Sequence, residues 1–272
     1  MMPSEDLEFL ALLNRIRKVR GLDCGQYKDK CIKRRVAVRM RANKVATYRD
    51  YLLVLKKNPS EYDQLLDALT INVSSFFRDS GTFAVIEDAV LPQLISFKQK
   101  HNSKIIRLWS AGCASGEEPY SLAICLSDLL ADRGEEFNYT IYATDIDEGS
   151  LAKARLAEYD GEFVGGVDEK RLKRYFSSCN GKYTVNKEVK ARVRFKRHDL
   201  IADRPLTHLD LILCRNVVIY FSRDLQEKLF QAFYDGLNPG GYLVMGKTET
   251  LTSHAGKMFR PVDAKERVYQ KL

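Results

Sequence analysis

Over residues 1–75 the apolar positions recur at helical spacing: Leu7, Leu10, Leu13 and Ile16, then Tyr48, Leu52 and Leu55, then Tyr62, Leu65, Leu66 and Leu69. Asn58, Pro59 and Ser60 read as a turn with proline at a helix start. Between these runs, Ile32, Val36 and Met40 fall at i, i+4 and i+8, with Lys30, Lys33, Arg34, Arg41 and Lys44 off that stripe. The spacing predicts one helix with an apolar face turned inward and a cationic face outward. A small all-helical N-terminal domain is the expectation.

From Lys104 the period changes. Ile105–Trp109, Tyr139–Ala143, Leu209–Leu213 and Gly241–Met245 are short apolar runs separated by helix-length segments, the pattern of buried parallel strands. Such alternation predicts an α/β domain over residues 76–272, a sheet covered by helices on both faces. It lapses around residues 161–197. A helix-like Glu169–Tyr175 is followed there by Lys182–Phe195, whose Tyr183, Val185, Val189, Val193 and Phe195 predict a small antiparallel hairpin inserted in the domain.

Composition narrows the class. At 272 residues, 45% hydrophobic and 29% charged, the chain suits one α/β domain plus an accessory domain and excludes a disordered or fibrous protein. The longest apolar stretch, Leu209–Phe221, is interrupted by Arg215 and Asn216 and is too short to span a bilayer. Six scattered cysteines form no C-x-x-C pair and no metal-ligand spacing, and no signal peptide is recognisable, so a reduced cytoplasmic protein without a metal is expected. The net charge is +8, yet from Arg15 to Lys57 fifteen Lys or Arg face only Asp23, Asp29 and Asp50. That local excess of twelve exceeds the total, so the remainder is slightly acidic and the cationic signal belongs to the N-terminal segment.

Four constellations carry candidate chemistry. Leu108–Ser121 runs from a strand through a turn holding Gly112 and Gly116 into a helix with Pro119 in its first turn, a geometry that suits a nucleoside cofactor and equally an ordinary strand-to-helix connection. Asp145, at the next strand end, is placed for a ribose, while Asp147 is placed to cap the following helix. In Asp210–Phe221 a buried strand ends in Arg215 and Asn216, with Tyr220 beyond, either at a ligand crevice or as an ion pair and a core ring. In Leu69–Arg78, polar Asn72, Ser74 and Arg78 alternate with apolar positions, facing a cleft or forming a linker with an aromatic plug.

Taken together, NVSSFFRD, WSAGCASGEEPYS, ATDID, CRNVVIYF, NPGGYLVMGKTE and the basic N-terminal helix resemble the chemotaxis receptor methyltransferases, the CheR family. The resemblance spans nearly the whole chain. It implies a class I S-adenosylmethionine-dependent methyltransferase fold, a mostly parallel seven-stranded sheet with the last strand reversed, a small inserted antiparallel β-subdomain and an all-helical N-terminal domain. It also implies transfer of a methyl group from S-adenosylmethionine to glutamate side chains on the cytoplasmic domain of methyl-accepting chemotaxis receptors, leaving S-adenosylhomocysteine.

On that resemblance the cofactor contacts fall on Asn72, Ser74, Arg78, Glu118, Asp145, Asp199, Leu200, Arg215 and Asn216, and the catalytic pair on Arg78 and Tyr220. Ser74 stands where the enteric pattern has Thr, and Asp199 where it has Asn; an ionised Asp199 cannot donate a hydrogen bond. Receptor docking falls on the basic helix, at Arg35, Arg39 and Arg41, with Lys33 and Arg34 adding charge and Val38 standing where the enteric enzyme carries arginine. Some relatives capture a peptide at the receptor C-terminus by strand addition and carry a longer loop than Ser177–Tyr183, so recognition independent of that peptide is expected. The chain is expected to act as a monomer, without nucleic acid or membrane insertion. The rival readings are a nucleic-acid methyltransferase, against which Arg215-Asn216-Val217-Val218 replaces the Pro-Pro-aromatic motif of base-amino methylases, and a non-catalytic adaptor that binds the same cofactor.

Overall fold

A computed structural model of the protein describes residues 4–70 and 74–272. The chain divides into two compact units, Met1–Asn72 with Tyr220–Leu225, and Val73–Ile219 with Gln226–Leu272.

The first unit is helical: α1 (Ser4–Arg20), α2 (Asp29–Ala42), α3 (Tyr48–Lys57) and α4 (Glu61–Thr70). Ile32, Val36 and Met40 of α2 are buried, as the stripe predicts, each such side chain contributing about 1.5–3 kcal/mol of transfer free energy. Thr47 begins α3 by accepting the Asp50 N–H at 3.1 Å. Glu61, 2% exposed, is a charge buried inside this unit. Arg39 donates to both its oxygens, at 2.9 and 2.8 Å, and the Tyr51 hydroxyl donates to Oε1 at 2.8 Å, so α2, α3 and α4 meet on one carboxylate. The Tyr220–Leu225 segment joins the unit through the Lys28 N–H, which donates to the Tyr220 carbonyl at 2.8 Å, and through an antiparallel bridge between Tyr27 and Phe221.

The second unit opens with α5 (Ser80–Val85), a π-type turn (Ile86–Val90) and α6 (Leu91–Lys100). The π turn sits just before Pro92, which lacks the N–H a regular helix requires there. Then follow β1 (Ile105–Ala111), α7 (Glu117–Arg133), β2 (Asn138–Asp145), α8 (Glu148–Leu156), β3 (Glu158–Asp160), α9 (Glu169–Tyr175), β4 (Phe176–Cys179), β5 (Lys182–Val185), α10 (Lys187–Lys190), β6 (Val193–Arg197), β7 (Leu209–Cys214), α11 (Arg223–Gly236), β8 (Leu237–Met245), β9 (Phe259–Asp263) and β10 (Val268–Lys271). Seven strands form one sheet in the order β6-β2-β1-β7-β8-β10-β9. All neighbours run parallel except at β10, which is antiparallel to both β8 and β9. This is the mostly parallel seven-stranded sheet with its last strand reversed that the resemblance implies. Order reverses between β1 and β7, so the crevice at their C-terminal ends is where such a sheet binds ligands. Every residue of β7 is buried, as a strand covered on both faces requires.

The inserted sheet is β3-β5-β4, fully antiparallel. Here the structure corrects the expected hairpin. Its strands are Phe176–Cys179 and Lys182–Val185, joined by Asn180 and Gly181 at φ 50° and 78°, a tight turn of two left-handed residues. Val193–Arg197 instead lies parallel to β2 at the margin of the large sheet. A margin strand with one exposed face alternates apolar and polar residues as a hairpin strand does, so period alone cannot tell the two apart.

Candidate active site

The crevice is lined from the ends of β1, β2 and β7, all within the second unit. After β1 the chain turns at Gly112, whose φ of +82° and whose place against Val217 leave no room for a side chain: an added Cβ would lie 2.5 Å from Val217 Cγ2. The Gly112 and Cys113 N–H groups donate to the Thr144 carbonyl at 2.8 and 2.9 Å, and the Ala114 N–H donates to Asp145 Oδ2 at 2.9 Å. Asp145 Oδ1 accepts the Asp147 N–H at 3.0 Å. Backbone donors from Ala114, Asp147 and Ile146 thus fix the Asp145 carboxylate at the end of β2. Asp147 has the capping role, accepting from the Gly149 N–H at 2.9 Å and the Ser150 hydroxyl at 2.8 Å.

Three carboxylates gather around the turn. Burial, followed by the charges of Asp145, Glu118 and Glu117, pushes the Cys113 thiol well above its ordinary range. Glu117 is buried and its Oε2 has no hydrogen-bond partner among the described residues. Burial raises its pKa against hydrogen bonds from Ser115 and Ser74 that pull it down. Asp145 is raised likewise by burial, against backbone donors from Asp147 and Ala114.

Glu118 accepts the Ser110 hydroxyl at 2.7 Å and Arg215 Nη1 at 3.2 Å. Arg215 also donates through Nη2 to Asp79 Oδ2 at 2.6 Å and to the Arg78 carbonyl at 3.0 Å. The ion-pair alternative for Arg215 is therefore realised, and it ties the Arg78 segment to the start of α7. Asn216, at φ +61°, donates its N–H to Glu249 Oε2 at 2.9 Å. Glu249 is a residue that sequence reading passed over. Buried, it also accepts the Gly246 N–H at 2.7 Å and the Ile219 N–H at 3.3 Å, so one carboxylate holds the turns after β7 and β8 together. The signal was present in the Gly-Lys-Thr-Glu spacing, whose first and last residues close the turn.

Asp199 is buried on the loop after β6, where its Oδ1 accepts the Ile201 N–H at 2.8 Å; Leu200 is half-buried beside it. This loop begins at His198, whose N–H donates to the Asp145 carbonyl at 2.9 Å. Ser74 reaches Glu117. Asn72 lies outside the described residues, and Tyr220 groups with the helical unit. Of the docking residues, Arg39 is held by Glu61 and Lys33 by Asp6 at 2.9 Å, Arg35 is half-buried, and Arg34 and Arg41 are exposed.

The family described as CheR methyltransferase, SAM binding domain, matches residues 72–268, and the CheR methyltransferase all-alpha domain matches residues 7–70. The chain belongs to the CheR methyltransferase family. It is 34% identical over 255 residues to the chemotaxis protein methyltransferase of Listeria innocua, 94% of each chain, and 33% identical over 243 residues to chemotaxis protein methyltransferase 1 of Vibrio cholerae, 87% of this chain and 86% of that one. This CheR-family chain is thus an S-adenosylmethionine-dependent methyltransferase of chemotaxis. Its crevice fits that cofactor: the carboxylates of Glu117, Glu118 and Asp145, gathered at the turn after β1, suit ribose hydroxyls and positive charge while repelling a pyrophosphate. Among the described residues no group of three or more His, Cys, Asp or Glu is arranged to hold a metal, and no helix is long and apolar enough to cross a membrane.

Proposed function

We propose that the enzyme esterifies glutamate side chains on the cytoplasmic domain of chemotaxis receptors. The observation that carries this reading is the acidic crevice, in which an anionic substrate group needs a cation of its own, and Arg78 lies on a segment fastened to the crevice by Arg215. When bound, S-adenosylmethionine supplies an electrophilic methyl group. Asn72, Ser74, Arg78, Glu118, Asp145, Asp199, Leu200, Arg215 and Asn216 hold it in this reading, and no metal takes part. A glutamate side chain with a pKa of about 4.3 is already ionised at neutral pH, so no general base is needed. The protein's work is positioning and exclusion of water. Arg78 fixes the carboxylate through a charge-assisted hydrogen bond, and the Tyr220 hydroxyl orients it.

Docking of the acidic receptor helices falls to the cationic face of α2, with the exposed Arg34 and Arg41 as the contacts and Lys33, Arg35 and Arg39 shaping the face beneath them. The two-residue Asn180-Gly181 turn supports recognition without a receptor C-terminal peptide, because it offers no extended loop to clasp one. Titration of such a pentapeptide is expected to show no saturable heat; clear saturation would reverse that point.

The test is transfer of labelled methyl from S-adenosylmethionine to a purified receptor cytoplasmic fragment. Label in the fragment, transferred much more slowly but still measurably by Arg78→Ala and by Tyr220→Phe, is the expected result. Wild-type transfer by both variants, with unchanged cofactor affinity, would remove the catalytic pair from the account.

A further inference from the structure

Arg78 is flanked by two non-glycine residues in left-handed backbone, Phe77 at φ +52° and Asp79 at φ +61°. A ring-bearing side chain adopts that conformation only where its surroundings over-determine it. On the far side the determinant is Arg215, which holds Asp79. On the near side the determinants come largely from the inserted segment. The Phe76 N–H donates to the Phe163 carbonyl at 2.9 Å, and the Phe76 ring meets Tyr159 and Phe176 edge-on at 4.9 and 5.1 Å. Gly166 packs so closely that a Cβ there would lie 2.5 Å from the Phe76 carbonyl oxygen.

Phe77 itself is held by Ser121, whose Oγ accepts its N–H at 3.0 Å, by Phe83 edge-on at 5.3 Å, and by the Arg171 guanidinium, whose carbon lies 4.9 Å from the ring centroid. Arg171 cannot drift off that ring. Its Nε donates to Asp128 of α7 at 2.9 Å, its Nη2 donates to Glu87 of the π turn, and Asp168 lies 3.5 Å from Nε. Asp128 is itself fixed by the Tyr175 hydroxyl and by Arg174. An ion-pair staple alone would have no need of the Phe77 ring; the stacking carries the staple's rigidity to the residue beside Arg78.

We propose that Arg171 is a positioning residue for methyl transfer, acting through Phe77 on the left-handed turn that presents Arg78. The proposal rests on the role given to Arg78 above. It makes the inserted segment part of the catalytic scaffold as well as a surface feature.

The experiment uses full-length protein and compares Arg171→Ala, Arg171→Lys, Phe77→Leu and Lys173→Ala, together with Arg171→Ala in an Arg78→Ala background, by steady-state transfer to a receptor fragment, S-adenosylhomocysteine titration and thermal unfolding. Arg171→Ala is expected to lower kcat by about tenfold to a hundredfold with KM for the fragment changed by no more than about twofold. Lysine recovers only part of the loss, lacking the planar fork, and Lys173→Ala, which removes an exposed pair with Glu169 on the same helix, transfers at the wild-type rate. Phe77→Leu reproduces the loss with the ion pairs intact. In the Arg78→Ala background Arg171→Ala adds nothing further. If Arg78→Ala alone transfers normally, the reading of Arg78 falls and this proposal with it. If Arg78→Ala is impaired but Arg171→Ala costs the same factor in both backgrounds, or if its loss only follows the unfolded fraction, this proposal alone falls. Should Arg171→Ala not fold, Phe77→Leu in the two backgrounds makes the same comparison.

Discussion

Arg215 and Glu118 form a part-buried ion pair, Nη1 to Oε2 at 3.2 Å, that joins the end of β7 to the first turn of α7. The same guanidinium holds Asp79 and the Arg78 carbonyl, so one side chain sets the relative placement of three strips of the crevice. Arg215→Ala would leave two carboxylates without their cation and is expected to cost about 3–5 kcal/mol of stability, read from urea unfolding. Arg215→Lys keeps the charge but can fork to fewer partners, and is expected to recover stability only in part.

The turn at Gly112 admits no side chain on two counts, its positive φ and the 2.5 Å approach to Val217. Gly112→Ala is expected to abolish measurable S-adenosylhomocysteine binding by titration. Adding Val217→Ala relieves the contact but not the backbone strain, so affinity returns only in part.

Asp145 and Glu117 both have pKa values raised by burial. In the free protein the sign is that of any raised acid: their contribution to stability is largest below the ordinary carboxylate range and is lost as pH rises through the folded values. Ligand binding runs the other way. Hydroxyl donors and positive charge favour the ionised forms, so S-adenosylhomocysteine binding releases protons and weakens as pH falls through the raised values. Calorimetry in buffers of different ionisation enthalpy, from the ordinary carboxylate range upward through neutral pH, measures this. Equal affinity and no proton release across that range would show that neither carboxylate meets the ligand.

Arg39 and Arg41 sit two apart on α2 and have different work. Arg39→Ala strands the buried Glu61 and is expected to lower stability by about 3–5 kcal/mol. Exposed Arg41→Ala is expected to leave the unfolding midpoint nearly unchanged and to weaken receptor-fragment binding, with a reduced dependence on salt. Denaturation and binding at two salt concentrations separate the two roles.

What was legible in the sequence follows from which forces are local. The α9 helix appears over Glu169–Tyr175 as read, because Asp168 caps it and its charged residues favour it locally. The stripe of α2 and the runs of β1, β2 and β7 were legible because burial repeats with the period of the element. Strand β6 was assigned the wrong partner, since alternation reports which face is buried and not which neighbour is paired. Glu249 and Arg171 were passed over for a related reason: their partners lie 33 and 84 residues away, and only the folded sheet brings them within reach. The docking arginines looked alike in sequence, and only Glu61, supplied by α4, separates Arg39 from Arg41.

The central claim is the chemical nature of the product. Labelled methyl transferred to a receptor cytoplasmic fragment is expected to be released as methanol by mild alkali and to map by peptide mass spectrometry to glutamate side chains. Label that survives alkali, or that is recovered on nucleic acid instead of the receptor fragment, would contradict it.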